Sequence, residues 1–125
     1  MLGEMNAHAT IPVSDLDEAK KFYEGVLGLE EVGEHEAGAM YRTGTGHILL
    51  YESEYVGTNQ ATAVSWEVND PKAVVDALKK KGVEFEHYPE LPGVTLEGDL
   101  HRTGSMVGAW FKDPDGNILC VGNAM

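Results

Sequence analysis

The chain has one cysteine, Cys120, among its 125 residues. An internal disulfide is therefore excluded, and a reducing compartment fits. Basic residues are scarce too: nine Lys and Arg stand against twenty-one Asp and Glu, for a net charge of −12. Phosphate backbones and anionic membrane surfaces are bound by clustered Lys and Arg, so neither nucleic acid nor a membrane is expected as a partner. No apolar run nears the roughly 20 residues that span a bilayer. Met1 to Ala7 has neither a basic region nor an apolar stretch, so it does not read as a signal peptide. A cytoplasmic protein is expected.

What is present is a repeated strand–helix phrase. His8 to Val13 alternates, with Ala9, Ile11 and Val13 on one face. Asp15 follows as a helix cap with Glu18 three residues on, in the pattern of a capping box. Leu16, Ala19, Phe22, Tyr23, Val26 and Leu27 then recur at helical spacing, and Gly28 suits a left-handed C-terminal cap. The phrase returns from Ala63. Val64, Trp66 and Val68 share a face, Asn69-Asp70-Pro71 caps and starts a helix, and Val74, Ala77 and Leu78 form its apolar stripe. Lys79 to Lys81 complement the helix dipole before Gly82 closes the helix. Laying Val13-Ser14-Asp15 over Val68-Asn69-Asp70 sets His8 opposite Ala63.

Strands are predicted at 30–35, 39–43 and 47–52 after the first helix, and at 83–88, 107–113 and 118–121 after the second. Asp113-Pro114-Asp115-Gly116-Asn117 reads as a tight hairpin turn. The stretch 89–105 is the least regular and is expected to form a mobile rim. One domain, 1–125, is expected, with module one at about 5–55, a linker at about 56–60 and module two at about 61–125.

Asn6 to Asp15, Phe22-Tyr23 and Leu27-Gly28-Leu29 resemble the opening of vicinal oxygen chelate proteins, the glyoxalase, bleomycin-resistance and dioxygenase family. Trp110 to Asn117 resembles that family's closing motif. The resemblance covers essentially the whole chain. It implies an α+β fold of two βαβββ modules forming a cupped mixed sheet, a small organic ligand in the concavity, and a homodimer. The fold hosts many chemistries, so function must be argued from the site.

In the family's metalloenzymes, ligands come from the first and last strands of each module. Side chains alternate along a strand, so with Ala9, Ile11 and Val13 facing the helix, the cup receives His8, Thr10 and Pro12. His8 matches the family's first histidine ligand. Its counterpart Ala63 cannot bind metal, Thr62 is expected to face away, and Cys120 stands where the family has its final glutamate. Glu52 is a candidate ligand, with Tyr51 in the cup instead if the register slips by one. The expected ligand cup is His8, Thr10, Tyr41, Glu52, Ser65, Trp110 and Cys120, and catalytic residues are not assigned. The reading is a small-molecule-binding protein without the usual divalent metal and without a cofactor. The alternative is a metal-dependent lyase or dioxygenase-like enzyme completed by His8, Glu52, Cys120 or a partner chain. Cys120 also reads as a buried hydrophobe, Trp66 as core, and Trp110 or Phe111 as facing the cup. Tyr41, Arg42 and Arg102 are candidates for holding an anionic group. His35, His47, His87 and His101 default to the surface.

Overall fold

The computed structural model describes residues 1–36 and 38–123. The chain divides into two compact units, Met1–Thr58 and Asn59–Met125.

In unit one, β1 (Ala9–Val13) leads to α1 (Leu16–Lys20), which continues as a π-helical segment, Lys21–Val26. Then come β2 (Glu30–His35), β3 (Gly38–Thr43) and β4 (Gly46–Glu52). The helix starts where the sequence predicts. The Asp15 carboxylate accepts from the amides of Asp17 and Glu18, two of the donors that a helix start leaves without partners. Glu18 does not complete a reciprocal box in its side-chain ion pair, which goes to Lys21 at 3.0 Å. The predicted helix is thus only partly α-helical. Its buried positions are Ala19 and Tyr23, and Gly28 takes φ +74° just beyond it.

The sheet order is β1-β4-β3-β2, with β1 parallel to β4 and the other pairs antiparallel. Rows of side chains run across it. Ile11, Leu50 and Ala39 align, and so do Ala9, Ile48 and Tyr41, and all but Ala9 are buried on the helix side. Gly38 is fixed by space: at φ +145°, a Cβ would stand 1.9 Å from the Leu50 carbonyl oxygen.

Unit two repeats the plan with additions. It comprises β5 (Thr62–Glu67), α2 (Pro71–Lys80), β6 (Phe85–Glu86), β7 (Thr95–Glu97), β8 (Leu100–Thr103), β9 (Met106–Lys112) and β10 (Ile118–Gly122). Asp70 caps α2 through the Ala73 amide, with Pro71 in the first turn. The order is β5-β10-β9-β8-β7, β5 runs parallel to β10, and β6 also pairs with β9. Val75 and Leu78 of α2 are buried, as are Ala109, Phe111, Leu119 and Val121 of the sheet, and α2 lies against β9 and β10. Trp66 shares the Val121–Ala109 row, on the core side as its alternation predicts.

Two sequence expectations change here. The strand predicted at 83–88 shortens to Phe85–Glu86. The stretch 89–105, read as irregular, contains the β7–β8 hairpin, turned at Gly98 with φ +66°. β6 and β8 share one edge of β9, β6 against Trp110–Phe111 and β8 against Met106–Gly108. They replace one continuous strand, and the intervening chain folds out as the hairpin. The predicted turn at 113–117 forms. Asp113 Oδ1 accepts from the Asp115 and Asn117 amides, and Oδ2 from Asn117 Nδ2. Among the described residues, no helix is long and apolar enough to cross a membrane.

Candidate ligand pocket

The face of unit two away from α2 carries a pocket of about 290 Å³. Strand register explains its composition. Cys120, Trp110 and Ser65 form one cross-strand row, and Gly122, Gly108 and His101 lie on the adjacent row of that face. Trp110 and His101 stand edge to face, with centroids 4.9 Å apart at 84°, and Tyr88 packs against both rings. Val94, Thr103 and Met106 complete the rim from the hairpin side.

Of the expected cup residues, Ser65, Trp110 and Cys120 line this pocket together. Thr62, expected to face away, lines it as well, and its hydroxyl accepts from Trp110 Nε1 at 3.1 Å. The reason is a break in register: Ile118 pairs with Thr62, yet Leu119 pairs with Val64. Ala63 is therefore skipped, and Thr62 and Ser65 share a face despite being three apart.

His101, assigned by default to the surface, is 3% exposed and forms part of the wall. Its Nε2 accepts from the Tyr88 amide at 2.9 Å, so the neutral ring carries its proton on Nδ1. Burial pushes its pKa below the ordinary imidazole value, while the Asp99 and Gly108 carbonyls beside the ring oppose that shift. Burial likewise raises the Cys120 thiol pKa, and contacts from Ser65 and the Ala109 backbone oppose it. Cys120 is thus a thiol at neutral pH, the less nucleophilic form.

The remaining expected residues belong to unit one. Thr10 is exposed on the face away from the helix, in a row with Leu49 and Met40. His8 is exposed, and its ring meets His47 edge-on at 5.3 Å.

Tyr41 and Glu52 require correction. Tyr41 shares its row with Ile48, is fully buried on the helix side, and donates to Glu24 Oε2 at 2.6 Å. Burial, then that bond, raises its pKa. Glu52 falls on the same face as Ile48 and Leu50, and its carboxylate accepts from the Leu16 amide at 3.1 Å, capping α1. The alternative residue, Tyr51, occupies the opposite face, in register with Pro12.

The other side chains considered for anion binding already have partners. Arg42 pairs with Glu30 at 3.4 Å, and Arg102 pairs with Glu97. His87 is exposed and bonds Asp99 at 2.7 Å. The side chain of His35 lies outside the described residues.

A divalent metal would need its donors on one surface. Glu52 is turned to the helix side of the sheet whose other face carries His8, so these two do not make a metal-binding pair. Among the described residues, no three His, Cys, Asp or Glu side chains gather as a metal site.

Residues 6–121 match the sequence profile of the Glyoxalase/Bleomycin resistance protein/Dioxygenase superfamily. The chain belongs to this superfamily. Solved structures with the same fold include a glyoxalase family protein from Enterococcus faecalis, at 18% identity and TM-score 0.73, covering 98% of this chain and 99% of that one. Lactoylglutathione lyase from Agrobacterium tumefaciens shares 19% identity at TM-score 0.69, over 92% of this chain and 90% of its own. The fosfomycin resistance protein FosX from Mesorhizobium loti shares 16% at TM-score 0.68, over 98% and 93%. At these identities the likeness speaks for the fold. Superfamily membership accounts for the α+β architecture and the sheets of four and six strands. Activity has to be argued from the residues of the site.

Proposed function

We propose that this protein binds a small organic molecule without the divalent metal used by the superfamily's metalloenzymes. The observation that carries the reading is the unit-two pocket, walled by Trp110, His101, Val94 and Met106, with Thr62 and Ser65 supplying the polar contacts. Apolar walls with a few placed polar groups are the usual makeup of small-molecule sites. The metal-dependent alternative loses support because Glu52 caps a helix, on the face of its sheet that His8 does not share. The reading takes the protein to be a cytoplasmic homodimer, and its net charge of −12 disfavours nucleic acid.

The test is elemental mass spectrometry on untagged protein, with thermal unfolding after adding zinc, nickel, manganese or iron. A metal that binds only the native state raises its melting temperature. No stoichiometric metal and no rise are expected. Stoichiometric metal in the purified protein would overturn the proposal, and its loss in His8→Ala would put His8 among the ligands.

A further inference from the structure

Gly108 is an unexpected residue where it stands. It lies within β9, paired on one side with Gly122 of β10 and on the other with His101 of β8. Glycine in a strand interior weakens the strand, since it loses more freedom on folding and packs no side chain. Neither a left-handed backbone nor a steric bar demands glycine at this position. Its φ is outside the left-handed region. Nor is space lacking: a Cβ would meet the Val121 carbonyl oxygen at 3.5 Å, and Cys120 Sγ and the Trp110 ring at 3.8 Å, all ordinary contacts. Alanine would fit. What glycine leaves bare is the pocket floor, which continues across the sheet at Gly122.

We propose that this pocket is a slot for a flat, uncharged ring, and that Gly108 sets the specificity by letting the ring approach the strand backbone. This rests on the ligand-binding reading above. The perpendicular rings of Trp110 and His101 give the slot a flat wall and an edge. No Asp, Glu, Lys or Arg is among its described lining residues, so an ionic group entering it would lose water without gaining a counter-charge. At about 290 Å³ the pocket suits a one- or two-ring compound better than a larger one. Thr62 uses an oxygen lone pair on the Trp110 indole and keeps a hydroxyl proton with which to donate, so an acceptor on the ring's edge is matched.

The probes are 2-naphthol, 2-naphthoate, 2-naphthylmethylamine and decahydro-2-naphthol: one flat and neutral, one anionic, one cationic and one saturated. Binding to metal-free protein is read by calorimetry, and its location by the Trp110 indole N–H signal in NMR. 2-Naphthol is expected to move that signal and to bind about tenfold or more tighter than each of the others. Gly108→Leu should lose about tenfold or more of that affinity. Gly108→Ala should bind a few-fold more weakly while melting at or above the wild-type temperature, a combination that a purely structural glycine would not produce. Should Gly108→Leu fail to fold, Gly108→Ala decides.

The slot is overturned if a charged or saturated probe matches 2-naphthol. It is equally overturned if no probe binds, if folded Gly108→Leu keeps full affinity, or if Gly108→Ala melts below wild type. The metal-free reading fails separately, on stoichiometric metal in the purified protein, an outcome that leaves the probe ranking intact.

Discussion

The two units are built on one plan, and they differ where the pocket is made. In unit one the edge strand β2 is a single run of six residues that skips only Val32 against β3, and β1 pairs with β4 without a break. In unit two the corresponding edge is split between β6 and β8, and β5 skips a residue against β10. The split adds the β7–β8 hairpin, which brings Thr103, and Val94 just before it, to the pocket lining, and the skipped residue turns Thr62 onto the same face as Ser65. Two local irregularities thus turn a plain sheet face into a lined pocket. Irregular β-structure is a recurrent means of re-aiming side chains at sites.

The largest expected test of this comparison is in the cores. Phe111→Ala should cost about 3–5 kcal/mol and Leu50→Ala about 2–5 kcal/mol, since both side chains are fully buried. Amide hydrogen exchange should quicken first in β9 and β10 for the former, and first in β3 and β4 for the latter. Identical exchange patterns in the two variants would dissolve the distinction between units. A smaller contrast concerns the helix starts. Asp15 satisfies two amides and Asp70 one, so Asp15→Ala should lose more stability to urea than Asp70→Ala, each about 1 kcal/mol. The reverse order would indicate that Asp70 carries more of its helix start than its one amide bond accounts for.

The smallest effect is confined to unit two and to a pH window. The folded pKa of His101 lies below its ordinary value of 6.5, so the unfolded chain takes up the proton first as pH falls. Its contribution is complete above that value and is lost as pH drops from about 6.5 toward the folded value. The Asp99 carboxyl, lowered by bonds from Lys79 and then His87, loses its own share only below its ordinary value of 3.8. His101→Phe should flatten the stability profile just below neutrality and leave the acid limb. An unchanged slope between the two regions would remove His101 from the account.

Much of the local structure was legible in the sequence because its causes are local. Asp15 and Asp70 announce helix starts by their own side chains, and Asp113 to Asn117 carries its turn in its residues. Glu52 was also within reach: Ile48, Leu50 and Glu52 alternate, so a carboxylate two residues beyond a core leucine belongs to the core face. Tyr41 required its partner strand, since only pairing with Ile48 assigns its face. Thr62 and His101 had no local signal. A skipped residue shifts the parity of everything before it, and His101, in the second strand of the β7–β8 hairpin, is buried by Tyr88 and Trp110 from other parts of the chain.

Both tryptophans, Trp66 and Trp110, fall in unit two, whereas Tyr23, Tyr41, Tyr51 and Tyr55 fall in unit one. The chain therefore carries its own optical labels. Light absorbed at the red edge reaches the tryptophans alone, so the emission it excites reports on unit two. A melt followed in that emission, set beside one followed in the backbone dichroism of the whole chain, tells whether unit two unfolds with the rest.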